Sequence, residues 1–431
     1  MKNKKETLLI LTILITICII IFNRDKLYEA KYIEPKDTLL AITIDGEIST
    51  TFPTTKMYTG TVECTSGSGK VDWNGTKWIL TTSGITKGST KCNATFIARK
   101  PTTLAETILA NNEEKNPITT PGTAISTKTE ALLASTLDDY GTSYYFRGAV
   151  KNNYVEFANK CWRIVRVGGD GSVKLILHND NTAKAANPCN SANNNASAAF
   201  ARYSGTTYTS DYFNSALMDN AHVGFMYGTP GSSTYAATHA NTNKSTILTN
   251  LETWYNNNLK TYESVIDNTV WCNDKTNVTD TSYNPYDDSN VNGLGYAENE
   301  TYYGATQRLV STSCSAGGTG PSLKCNGELS KITSKVGLIT ADELAFAGYA
   351  FNHENTTTYL QENATGDWWW SLSPFEYRGG SARVWVVRGS DGNFDCNNVD
   401  RANGVRPSIS LKPSTNVTGN GSSESPYKIS M

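Results

Sequence analysis

Residues 153–178 read NYVEFANKCWRIVRVGGDGSVKLILH, and this stretch decides the fold class. CWRIVRV and VKLIL are short runs rich in β-branched and aromatic residues, as strands facing a core are. Between them Gly168, Gly169, Asp170, Gly171 and Ser172 supply the turn chemistry of a β-hairpin. The surroundings continue the theme. SYYFRGAV precedes the hairpin, GLITADELAFAGYA and GVRPSISLK follow it, and long Asn/Ser/Thr/Tyr-rich loops lie between. GNGSSESPYKI closes the chain with one more short strand. Helical spacing is confined to STILTNLETWYNNNLK, YTSDYFNSALMDN and the start of TADELAFAG. In the last, Thr340 reads as the N-cap and Glu343 as its capping-box partner, which explains Asp342 and Glu343 without catalysis. Residues 137–431 therefore read as one α+β domain.

Upstream, residues 38–100 read as a small all-β unit. LLAITIDGEIS alternates around an Asp-Gly turn, GKVDWNGTKWILTTSGI pairs two strands around Asn74-Gly75, and STKCNATFIA returns as another strand. Cys64 and Cys92 sit on strands of this unit, where one disulfide would staple a core too small to be generous. Residues 101–136 read as a helix, TLAETILANN with Leu104, Ile108 and Leu109 on one side, and a proline-containing linker.

Formal net charge is -2 and charged residues make up 18% of the chain, without blocks of either sign, so nucleic acid is not an expected partner. Lys2, Lys4 and Lys5 precede an apolar run over residues 7–22 that spans roughly 24 Å as a helix, which suits a signal peptide or a short membrane anchor. No small-residue cleavage site follows, so residues 1–23 are expected to be a signal-anchor, with residues 24–37 a stalk and the rest exported or secreted. Beyond Cys18, eight cysteines remain, with no C-x-x-C pair and four scattered histidines; disulfides of an oxidising compartment are the expectation, and no metal or cofactor is. Cys272 and Cys325 are the other disulfide candidates beside Cys64 and Cys92. Asp288, Asn290, Asn292 and Gly293 imitate the first half of an EF-hand loop, but Asn299 stands where the bidentate glutamate belongs.

DDYGTSYYFRGAV with the hairpin, WCND, PSLKC, VGLITADELAFAG, WWWSLSP, ARVWVV and GVRPSISLK together resemble an uncharacterised domain of exported bacterial surface proteins. More remotely, the Trp segment, the Gly-rich strand turns and the terminal GVRP resemble the C-type-lectin-like fold, in its formylglycine-generating-enzyme branch. That likeness implies an outward-facing binding domain, and no catalytic cysteine pair carries over.

Residues 368–380, WWWSLSPFEYRGG, hold three consecutive tryptophans. In a strand Trp368 and Trp370 would share one face and Trp369 the other, so two indoles build core and Trp369 is the expected contact residue. Arg378, Arg383, Trp385, Arg388, Asp391 and Asn393 complete the expected ligand-binding face, because planar carboxylates, amides and guanidinium groups match sugar hydroxyls. The expected function is non-catalytic binding of a carbohydrate or of a surface protein, as an adhesin or lectin-like module. The rivals are a structural, protein-binding module of the envelope and an extracellular hydrolase. No G-x-S-x-G, H-E-x-x-H or phosphate loop is present, and a reactive Cys396 is what would favour chemistry.

Overall fold

The structure is a computed structural model that describes residues 39–430 apart from 75, 87, 124–129, 204 and 209. The expected signal-anchor, the stalk and the glycine of the Asn74-Gly75 turn lie outside the described residues. None of the described helices is long and apolar enough to cross a membrane. The chain divides between residues 101 and 102 into two units.

The smaller unit is all-β, as its alternation predicts. Strands β1 (Leu39–Ile44), β2 (Glu47–Ser49), β3 (Tyr58–Cys64) and β6 (Lys91–Ala98) form one sheet in the order β2-β1-β6-β3. β4 (Ser68–Trp73) and β5 (Trp78–Ser83) form a hairpin. The β1–β2 turn places Asp45 at φ 49° and Gly46 at φ 90°, the left-handed pair that a two-residue turn of twisted strands requires. Among the described residues, Ile42, Val71, Ala94 and Phe96 form its buried apolar cluster. The Cys64–Cys92 disulfide joins directly paired positions of β3 and β6.

In the larger unit the hairpin is β10 (Lys160–Val167) and β11 (Val173–Asn179). Its turn is closed by Gly168 N donating to Ser172 O at 2.8 Å and by Asp170 Oδ1 accepting from Ser172 N. Around it grows the main sheet. β7 (Ala131–Asp138) and β8 (Gly141–Gly148) form a hairpin attached to β10, and β9 (Tyr154–Phe157) pairs with β10 from its other end. Helix α1 (Leu104–Asn111) buries Leu104, Ala105 and Ile108 in the core of this unit; Leu109 turns outward, contrary to expectation. Helix α2 (Thr246–Asn258) sets Trp254 edge-on to Trp162 at 6.2 Å.

Strand β12 (Thr269–Cys272), β13 (Thr301–Tyr302), α3 (Gly304–Leu309), β14 (Lys331–Ser334) and α4 (Ala341–Ala347) follow. β12 pairs with β14. β13 pairs with β15 (Trp369–Arg378), which continues into β16 (Ser381–Val387) and β17 (Phe394–Asn398) as a second sheet. β18 (Ser408–Leu411) returns to β11, and β20 (Tyr427–Ile429), hydrogen-bonded to β19 (Val417–Thr418), runs parallel to β9. About 14% helix and 35% strand make the protein mixed α/β content, rich in strand.

The described residues of the segment YTSDYFNSALMDN form no helix of the expected length. It holds a two-residue strand, Asp211–Tyr212, and runs into a 3-10 turn at Asn220–Val223. Tertiary bonds take the backbone groups a helix would use: Asp211 O accepts from Trp370 Nε1 at 2.8 Å, and Asn214 N donates to Val399 O at 3.0 Å.

Candidate functional site

The β10–β11 hairpin places two cations on facing positions. Arg166 and Lys174 are register partners, and like charges opposite one another destabilise a sheet. Glu343 of α4 resolves the conflict: its Oε1 accepts from Arg166 Nε at 2.9 Å and from Lys174 Nζ at 2.6 Å. Arg166 Nη1 also donates to Asp138 Oδ2 at 2.9 Å. Asp138 is held by the β7–β8 turn and the hairpin loop, accepting from Tyr140 N and Gly169 N. A second cluster centres on Arg308 of α3. Its Nε and Nη2 bind both oxygens of Asp342, at 2.7 and 2.8 Å, and its Nη1 binds Asp274 at 2.7 Å. Asp342 and Glu343 are consecutive on α4, so the two clusters meet at its first turn.

Together they line a cleft of about 190 Å³. Tyr140, 61% exposed, stands at its rim with Leu323 and Lys324. The Cys272–Cys325 disulfide fixes the rim segment to β12, and Cys325 N donates to Asp139 Oδ2 at 3.0 Å. Burial would raise the Glu343 carboxyl, but Lys174 and Arg166 override it and hold it at about 2. Burial pushes the Lys174 ammonium down against the pull of Glu343. Burial also works against the Arg308 guanidinium, yet Asp342 and Asp274 leave it more firmly protonated than an isolated arginine. The capping box is present as the sequence predicts, with Thr340 N donating to Glu343 Oε2 at 2.9 Å. The same carboxylate thus caps a helix with one oxygen and neutralises two cations with the other.

The expected binding face does not assemble. Trp369 and Trp385 are fully buried, so neither offers a ring to a ligand. Trp369 lies under the Arg406 guanidinium at 4.6 Å, and Trp370 packs on Phe213 at 5.7 Å, because both faces of β15 are covered. Trp385 sits between Phe375 and Phe394, at 4.7 and 4.4 Å. The partly exposed indole is Trp368, with Arg388 above it at 5.8 Å. Arg388, Asp391 and Asn393 share the β16–β17 loop, where Asp391 binds Arg388 and caps Asn393 N. Arg378 lies at the opposite end of β16, roughly 20 Å away along the strand. It is committed to Asp288 at 3.1 Å and lies over Tyr286 at 4.6 Å. Arg383 is paired with the buried Glu376 and with Asn398. Asp288, the first residue of the EF-hand-like stretch, also caps Asn290 N, and no three His, Cys, Asp or Glu side chains converge on a metal-sized site among the described residues.

Both named disulfides form, and Cys161–Cys189 is a third; such pairing fits an extracellular or secreted protein. Cys314 and Cys396 are free thiols. Burial, reinforced by Glu376 and Asp395, drives the Cys396 thiol well above its ordinary range, which disfavours the thiolate that a reactive Cys396 would use.

Arg166, Lys174, Asp138, Asp274 and Arg308 escaped the sequence reading as site residues. A signal was present. Arg166 and Lys174, like Arg163, are charges inside the two apolar runs of the hairpin, and a charge in a buried strand has to find a partner.

The family described as Domain of unknown function (DUF6273) matches residues 311–413, a minor part of the chain that includes β14, α4 and the second sheet from β15 onward. The match takes in the Asp342 and Glu343 side of the cleft and leaves out the Arg166, Lys174 and Arg308 side. No curated protein and no solved structure matches the chain.

Proposed function

We propose that the chain is an exported, disulfide-stapled binding protein that holds a small polar ligand, a carbohydrate group, in the cleft lined by the β7–β8 turn, β10, β11, α3 and α4. The observation that carries this reading is the pairing of an exposed Tyr140 ring with a cleft of about 190 Å³ lined by planar charged pairs. A sugar ring needs an apolar surface for its C–H face and directed hydrogen-bonding groups for its oxygens. The volume admits one such ring and not a large apolar ligand. Binding is favoured over hydrolysis because Glu343, Asp138, Asp274 and Asp342 are each bound to a cation. A general acid needs a carboxyl with a raised pKa, and Glu343 goes the other way. The C-type-lectin-like assignment stands with this proposal, supported by the buried Arg406 of the GVRP motif, which leads directly into β18. So does the membrane anchor, which rests on the apolar run of residues 7–22.

The test is a broad glycan array probed with the oxidised protein and two variants. Retention of one sugar class, lost in Tyr140→Ala and kept in Arg388→Ala, supports the cleft. Loss in Arg388→Ala with retention in Tyr140→Ala moves the site to the β16–β17 loop. Silence on every glycan overturns the carbohydrate reading in favour of a protein partner.

A further inference from the structure

The cleft has a chemical polarity that its charge count hides. Five cations and five carboxylates line it and cancel: Arg166, Lys174, Arg308, Lys324 and Lys331 against Asp138, Asp139, Asp274, Asp342 and Glu343. Net charge therefore selects nothing. Depth does. The four carboxylates that hold the network, Asp138, Asp274, Asp342 and Glu343, have side chains only 3–4% exposed, whereas Arg166, Arg308 and Lys174 show 18%, 11% and 7%. The acids lie behind, and the cation tips face the space.

Hydrogen-bonding capacity divides the same way. Both oxygens of each of the four buried carboxylates already accept at least one hydrogen bond. Among the described residues, the Lys174 ammonium donates only to Glu343, and Arg166 Nη2 donates to none. The Trp271 ring faces Lys174 at 4.8 Å and offers no lone pair for its remaining N–H groups. A buried ammonium with donors left over is costly until an acceptor arrives. A neutral hydroxyl fills that need poorly, because its own proton finds few free acceptors here. An anionic oxygen accepts only, and bonds between ionised partners are about twice as strong as neutral ones.

We infer that the cleft recognises an oxyanion carried on a small polar group, a carboxylate, phosphate or sulfate ester of a sugar, with Lys174 and Arg166 as its inner donors and Lys324 at the mouth. This rests on the cleft being the binding site, and the test separates the two claims.

The experiment is calorimetric titration of the oxidised protein with glucose, glucuronate, glucose 6-phosphate and glucose 6-sulfate, and with inorganic phosphate and sulfate alone. The expected result is binding of one or more anionic sugars at least tenfold tighter than glucose, weakening as salt rises. Lys174→Gln lowers that affinity about tenfold, and by a larger factor than it lowers any affinity for glucose. Lys324→Gln, on an exposed side chain where folding is not at risk, lowers it a few-fold and reduces the salt dependence. Preference among the three anionic sugars, set against the free ions, identifies whether the anion or its sugar carrier is the source. Equal affinity for glucose and the anionic sugars, still lost in Tyr140→Ala, overturns the oxyanion and keeps the cleft. Anion binding that survives both lysine variants places it elsewhere and overturns the inference. No binding of any probe overturns both.

Discussion

Lys174 Nζ lies 2.6 Å from Glu343 Oε1, across 169 positions of chain. One residue belongs to the hairpin at the centre of the main sheet, and the other to the first turn of α4. Their bond ties the two elements and, through Arg166 on the same oxygen, fixes the wall of the cleft.

Glu343→Gln removes the anion and leaves Lys174 and Arg166 buried with no full countercharge at that oxygen. The expected cost is about 3–5 kcal/mol, the usual penalty for breaking a buried pair on one side. The pH dependence has a definite sign. The carboxyl sits at about 2 in the fold against an ordinary 4.5, so its stabilisation is full above pH 4.5 and fades as pH falls from 4.5 toward 2. That shift corresponds to roughly 3 kcal/mol. Urea unfolding across this range, in the protein and in Glu343→Gln, should show the gap between them closing below pH 4.5. A gap of constant size would contradict the ion-pair account.

Trp369→Ala is expected to destabilise the larger unit by about 3–5 kcal/mol, since it empties a buried indole site. Trp368→Ala should cost less, about 1–2 kcal/mol, because that ring is partly exposed at the edge of the core, under the Arg388 guanidinium. Denaturant midpoints of the two variants measure this directly. The reverse order would restore Trp369 as a surface residue.

The hairpin of residues 153–178, the small β unit, the capping box and the closing strands were legible because each rests on local chemistry: alternation, turn residues, a cap three positions from its partner. The tryptophans were not legible in detail. Alternation assigns faces to a strand but says nothing of whether both are covered, and β15 is covered on both, by Phe213 on one side and Arg406 on the other. The cleft was the least accessible. Glu343 reads correctly as a cap, but its second oxygen serves two cations from 169 and 177 positions away, a relationship no local window contains.

The Cys64–Cys92 bond closes a loop of sequence separation 28 around a core whose cluster, among the described residues, has four buried apolar side chains. In the chain-entropy account such a loop contributes about 3–4 kcal/mol, a large share of what a unit this small retains. Cys64→Ala combined with Cys92→Ala should therefore abolish protection of amide hydrogens in β1, β3 and β6 while leaving β10 and β11 protected. Hydrogen exchange resolved by peptide tests it. Loss of protection in both units would show that the smaller one does not melt independently.

Cys396 offers the last expectation, because a free thiol beside three disulfides invites a chemical reading. On β17 it pairs in register with Trp385 of β16, close to Glu376 and Asp395. Both carboxyls are themselves pushed up by burial, and where they are ionised they oppose formation of a thiolate beside them. Only the thiolate attacks an alkylating reagent. In the native oxidised protein at pH 7, iodoacetamide should therefore modify Cys396 far more slowly than it modifies a small free thiol, and moving to pH 8.5 should add little. After unfolding without reductant, Cys314 and Cys396 should label fully, whereas Cys64, Cys92, Cys161, Cys189, Cys272 and Cys325 should label only once reduced. Peptide mass mapping distinguishes every site. Rapid native labelling of Cys396 at pH 7 would mean an exposed, activated thiol, and would reopen the case for covalent chemistry on the second sheet.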